Sequence, residues 1–91
     1  MRTIVVDCLS VQSEADFWAT YVATAEPNGA GYFGCNLDAF WDSLYGGPGW
    51  PGECELQFIN TRHLQVFRSG CFLKALHDIA SRSTVIKVTF D

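Results

Sequence analysis

Three strand-like runs, at positions 3–9, 53–60 and 84–90, alternate with stretches whose apolar residues recur at helical spacing. Few architectures accept that order in so short a chain. Thr3-Ile4-Val5-Val6-Asp7-Cys8-Leu9 and Thr84-Val85-Ile86-Lys87-Val88-Thr89-Phe90 are rich in β-branched residues, and Glu53 to Asn60 alternates weakly. Between the first two runs, Phe17, Trp18, Tyr21 and Val22 mark a helix that Ser13 is placed to cap and that extends to about Ala25. Phe72, Leu73, Leu76, Ile79 and Ala80 mark another over residues 69–81, while Thr61 to Phe67 is ambiguous and compatible with a short helix. Strands joined through helices require crossover connections, which are right-handed and lay the strands parallel. The expected fold is α/β: one small domain over residues 1–91, with a three-stranded parallel sheet covered by helices. Trp18 and Tyr21 read as the way a short helix covers that sheet rather than as a binding face.

One more helix lies between the first helix and the second strand. Glu26-Pro27-Asn28-Gly29-Ala30-Gly31 breaks the chain into a long permissive loop. Asn36 then offers a side-chain acceptor to the free amides of a first turn, and Gly46 and Gly47 suit a left-handed exit. At about 100° per residue, Leu37, Phe40, Trp41 and Leu44 fall on one stripe, with Asp38, Asp42 and Tyr45 together on its flank. The stripe reads as core. Asp38, in the first turn, is favoured by the helix dipole. Asp42 has no such account: a like charge stands at i−4, which costs roughly 0.2–0.5 kcal/mol, and no Lys or Arg lies within a turn in sequence. A small local penalty of this kind suits a surface shaped for a cationic partner, although a solvated acidic face would carry the same residues.

The segment Tyr32-Phe33-Gly34-Cys35-Asn36-Leu37-Asp38-Ala39-Phe40-Trp41-Asp42 resembles the recognition loop and helix of the barstar family, small intracellular inhibitors of secreted microbial ribonucleases. The family pattern is an aromatic pair, Gly, any residue, Asn-Leu-Asp-Ala, an apolar residue and Trp-Asp, matched here without a gap. Elsewhere the likeness is one of element order and length, but it extends over essentially the whole chain. It implies an inhibitor, not an enzyme, that needs no cofactor or metal and inserts this loop and helix into the active site of a cognate ribonuclease, one to one.

In that implied mechanism Asp42 takes the central place, facing the basic groups that hold the scissile phosphate, and Asp38 pairs with a second cation nearby. Tyr32 packs against the enzyme's catalytic histidine, and Gly34 and Asn36 permit close approach. Phe33, Leu37, Tyr45 and Gly46 complete the implied surface. Trp41 belongs to it too, although its place at the edge of the stripe favours anchoring the helix to its own core. An acid on the last helix also contributes in the family, and Asp78 is the nearest candidate. Gly47 departs from the pattern, standing where a large aromatic is frequent, with Trp50 three residues later as a substitute. Held between prolines, Trp50 suits either an anchor or a lid over the core.

Composition bounds the rest. At 48% hydrophobic and 18% charged the chain is globular, and a net charge of −4 with scattered basic residues argues against a phosphate-backbone ligand and for a basic partner. No long apolar segment with a small-residue cleavage site opens the chain and none is long enough to span a bilayer, so the expected location is cytoplasmic. Cys8, Cys35, Cys54 and Cys71 are widely spaced without a CxxC or Cys/His ligand cluster and read as reduced thiols, with Cys8 and Cys54 in the core and Cys35 exposed. His63 and His77 lie on peripheral elements without a nucleophile signature. A barstar-like binding module that neutralises or regulates another basic partner, such as a non-ribonuclease toxin, is the alternative reading, because fold and an acidic helix do not fix the partner.

Overall fold

The computed structural model of the protein describes residues 2–91, Ala30 through its backbone alone. Strands β1 (Arg2–Asp7), β2 (Cys54–Ile59) and β3 (Lys87–Phe90) form one parallel sheet in the order β1-β2-β3. Helices α1 (Glu14–Ala25), α2 (Leu37–Ser43) and α3 (Cys71–Arg82) connect them, with short 3-10 helices at Ala30–Tyr32 and Arg62–Gly70. The α/β fold with its parallel sheet is the one expected.

Register decides which face of the sheet is core. Ile4, Leu56 and Val88 align across the three strands, as do Val6, Phe58 and Phe90, and these rows point toward the helices. Phe58 is the hub: Phe17 and Tyr21 of α1, Phe40 of α2 and Phe90 of β3 all place rings within 6.2 Å of it. Phe72 of α3 joins through Phe17 at 5.3 Å. All-parallel sheets usually bury both faces. Here the opposite face carries Thr3, Val5, Glu55, Gln57, Lys87 and Thr89, a mostly polar set of exposed or half-buried residues that needs no second layer.

The caps explain the helix limits. Ser13 Oγ accepts from the Asp16 amide at 3.1 Å, and Glu26, left-handed at φ 46°, returns its N–H to Val22 O before Pro27 prevents continuation. α3 begins at Cys71 rather than Ser69 because Ser69 and Gly70 both have positive φ. Similarly, Phe67, Arg68 and Ser69 leave helical geometry inside the preceding 3-10 segment, which accounts for its weak sequence signal. The kink is fastened to the start of α1 by a bidentate Arg68–Glu14 pair at 2.9 and 2.7 Å. β1 ends at Asp7, whose carboxylate accepts the Leu9 amide at 3.0 Å and turns the chain. β3 is shorter than the run 84–90, since pairing with β2 starts at Lys87 opposite Glu55.

Cys8 and Cys54 are buried free thiols, and Cys35 and Cys71 are exposed ones. Burial pushes the Cys8 thiol up to about 12, with the Asp7 and Asp91 charges adding to the shift, so it behaves as a small apolar side chain. Burial also raises Tyr21, first, and nearby Cys54 adds to it. Ser43 relieves part of this, but its hydroxyl donates to Phe40 O at 2.7 Å, and no hydrogen bond of normal geometry from the described residues reaches Tyr21 Oη. An unmade bond in the core costs more than its absence. Tyr21→Phe is therefore expected to leave stability unchanged or raise it by up to about 1–2 kcal/mol in a urea melt. A loss of about 1 kcal/mol or more would mean that Ser43 does satisfy Tyr21 in solution.

Candidate functional site

The motif loop owes its shape to Asn36. Its Oδ1 accepts the Ala39 amide at 2.7 Å, capping α2, while its Nδ2 donates to Gly34 O at 3.2 Å, so one side chain ties loop to helix. Both ends of the amide are engaged inside the protein. Tyr32 closes a turn through its amide to Gly29 O at 2.8 Å and leaves its ring 86% exposed. Phe33 points the other way. It is 6% exposed and packs on Trp18 and Tyr21 at 5.8 and 5.9 Å, so the expected partner-facing aromatic pair is divided between solvent and core. Tyr32 ends the short 3-10 turn Ala30–Tyr32 and Phe33 leaves it, and the two rings part there, one to solvent and one to the core.

The turn after α2 wedges Phe33 in place. Gly49 has φ +92° and a Cβ there would stand 2.6 Å from Phe33 Cδ1, so the chain approaches the ring more closely than any other residue allows. Gly49 N to Asn28 O and Asn28 N to Trp50 O, both 2.9 Å, hold that approach. Trp50 is half-buried against the core, the lid of the two roles open to it.

On α2, Phe40 and Leu44 are fully buried and Leu37 is half-buried, as the stripe requires. Asp38 and Asp42 are exposed on its flank. The two ion pairs among the described residues, Arg68–Glu14 and Arg82–Asp78, involve neither of them. Trp41 differs from the anchoring role. It is half-buried outside the core cluster, its ring at 4.9 Å and 65° to that of Tyr45, and it walls a cleft between α2 and α3. This cleft of about 330 Å³ brings Asp38, Trp41 and Asp78 together with Leu37 and Arg82. Asp42 and Tyr32 stand outside it. Gly46 leaves the helix at φ +101° with open space around it.

Arg82 escaped the sequence reading. It lies one turn after Asp78, with Nε at 3.5 Å from Asp78 Oδ2. The i,i+4 spacing was visible as a helical ion pair, but its position beside Asp38 depends on how α3 packs against α2. A larger groove of about 670 Å³ runs along α1, walled by Ala15, Ala19 and Val22 and reaching Cys35 and Leu37. No helix among the described residues is long and apolar enough to cross a membrane.

The short capped helix on this one-sided parallel sheet leaves Asp38 and Asp42 exposed and outside the ion pairs of the described residues. The chain belongs to the Barstar family: the family profile described as Barstar (barnase inhibitor) matches residues 1–88. That family is one of inhibitors rather than enzymes. No curated protein matches the chain.

Proposed function

We propose that this protein is a cytoplasmic immunity protein that binds a cognate microbial ribonuclease one to one and blocks its active site with the loop and helix spanning 32–46. The observation that carries this reading is the pair Asp38 and Asp42, exposed and without a cationic partner among the described residues. Ribonuclease active sites are positive because they hold a polyanion, and two fixed carboxylates meet the same donors without reorganisation. Asp42 takes the phosphate position, Asp38 a neighbouring cation, and Tyr32 stacks on the catalytic imidazole. Asp78 contributes from the far wall of the α2–α3 cleft. Phe33 supports the surface from beneath, and Asn36, exposed, fixes the shape of the loop through its two hydrogen bonds. Net charge −4 steers association toward a basic enzyme, so the association rate falls as salt rises.

The test is a titration of RNA cleavage by a panel of small basic microbial ribonucleases, including any encoded beside this gene. Inhibition that saturates at one equivalent is the expected result. Folded protein that inhibits none of them would transfer the acidic surface to a different basic partner.

A further inference from the structure

We infer that Tyr45 is a positioning residue: it latches the end of α2 to the end of α3 and thereby fixes Asp42. Tyr45 Oη donates to Arg82 O at 2.9 Å across 37 positions of sequence. Arg82 is the last residue of α3, where the carbonyls have no intrahelical donor, so the phenol supplies a bond that the helix itself cannot. The ring stands against Trp41 at 4.9 Å, which supports one wall of the cleft that Asp38 and Asp78 share.

The latch reaches Asp42 through the backbone. Asp42 O accepts from both Tyr45 N and Gly47 N at 3.1 Å, so the residue that carries the carboxylate is clamped by the turn that Tyr45 pins. Besides the buried Leu44 side chain and the Trp50 N to Gly47 O bond at 3.0 Å, the turn's own backbone bonds are weak. Leu44 N is shared between Phe40 O and Trp41 O at 3.3 Å, and Gly46 N reaches Ser43 O at 3.3 Å, all at the long end of normal geometry. A seven-residue helix has almost no stability of its own, and its exposed flank is held in register by tertiary contacts alone. With its hydroxyl engaged inside the protein, Tyr45 serves recognition by preorganising the carboxylate rather than by donating to a partner.

The binding part of this inference rests on the ribonuclease reading, and the latch itself does not. Tyr45→Phe keeps the ring against Trp41 and removes only the bond. In the free protein, amide exchange at Leu44 to Gly47 is expected to speed up roughly two- to tenfold, with exchange in β2 and α1 unchanged. With barnase as the probe, the dissociation rate is expected to rise by a similar factor at constant association rate, and the effect is expected to shrink in an Asp42→Ala background. Unchanged exchange at 44–47 would overturn the latch. Strict additivity with Asp42→Ala would overturn action through Asp42. Faster exchange in a protein that binds neither barnase nor any other ribonuclease of the panel supports the latch and counts against the ribonuclease reading instead.

Discussion

Asp42→Ala is expected to weaken the complex with the target ribonuclease by about 2–5 kcal/mol while leaving the free protein as stable as before or slightly more so. The two signs come from one position. In the proposed complex, a carboxylate enclosed by phosphate-binding cations is desolvated, and truncating it leaves those cations buried and unpaired. In the free protein Asp42 is a local burden: it lies in the last turn of α2, where the helix dipole disfavours an anion, and one turn after Asp38. Alanine removes both penalties and has the higher helix propensity, which together gives roughly 0.3–1 kcal/mol of added stability. Asp38→Ala behaves oppositely in the free protein, since Asp38 occupies the first turn where the dipole favours it. Its effect on binding is smaller. An inhibition titration and a thermal melt of the two variants separate these outcomes, and inhibition undiminished by Asp42→Ala would make that carboxylate an ordinary solvated acid.

The capping and the charge pattern of α2 were legible in the sequence, because capping, dipole and i,i+4 effects are local. Asn36, Ser13 and, of the apolar stripe, Leu37, Phe40 and Leu44 behave as their spacing requires, whereas Trp41 stands outside the core. What could not be read is nonlocal or against type. Phe33 and Tyr32 are adjacent aromatics with the same motif credentials, and only the packing of Gly49 against Phe33 decides which one is inside. Tyr45 looks like the third polar member of the acidic flank, yet its hydroxyl is taken by a carbonyl on α3. Arg68 and Ser69 adopt left-handed backbone where neither residue type announces it, and the Glu14 pair that holds the kink spans 54 residues. Even the strand limits follow partner availability rather than propensity: Thr84 and Val85 are good strand formers, but the ladder to β2 opens at Lys87.

The same logic makes Phe40 the residue at which the core and the acidic surface meet. Fully buried, its ring lies 5.7 Å from Trp18, 5.4 Å from Tyr21 and 6.2 Å from Phe58, so it is the contact through which α2 rests on both α1 and the sheet. Phe40→Ala removes that ring and leaves a cavity lined by three other rings that cannot all move inward, because Phe58 is fixed in the central strand and Trp18 and Tyr21 in α1. The expected cost is about 3–5 kcal/mol, seen as a lower urea midpoint, which is much of the stability that a chain of this size possesses. Binding falls with it even where the variant remains folded, since a seven-residue helix without its core anchor no longer holds Asp38 and Asp42 at fixed spacing. Phe40→Ala thus loses stability and affinity together, whereas Asp42→Ala loses affinity alone. A Phe40→Ala protein that melts within about 1 kcal/mol of the parent would mean that α2 is held chiefly from its C-terminal end, through the buried Leu44 and the Tyr45 bond to Arg82.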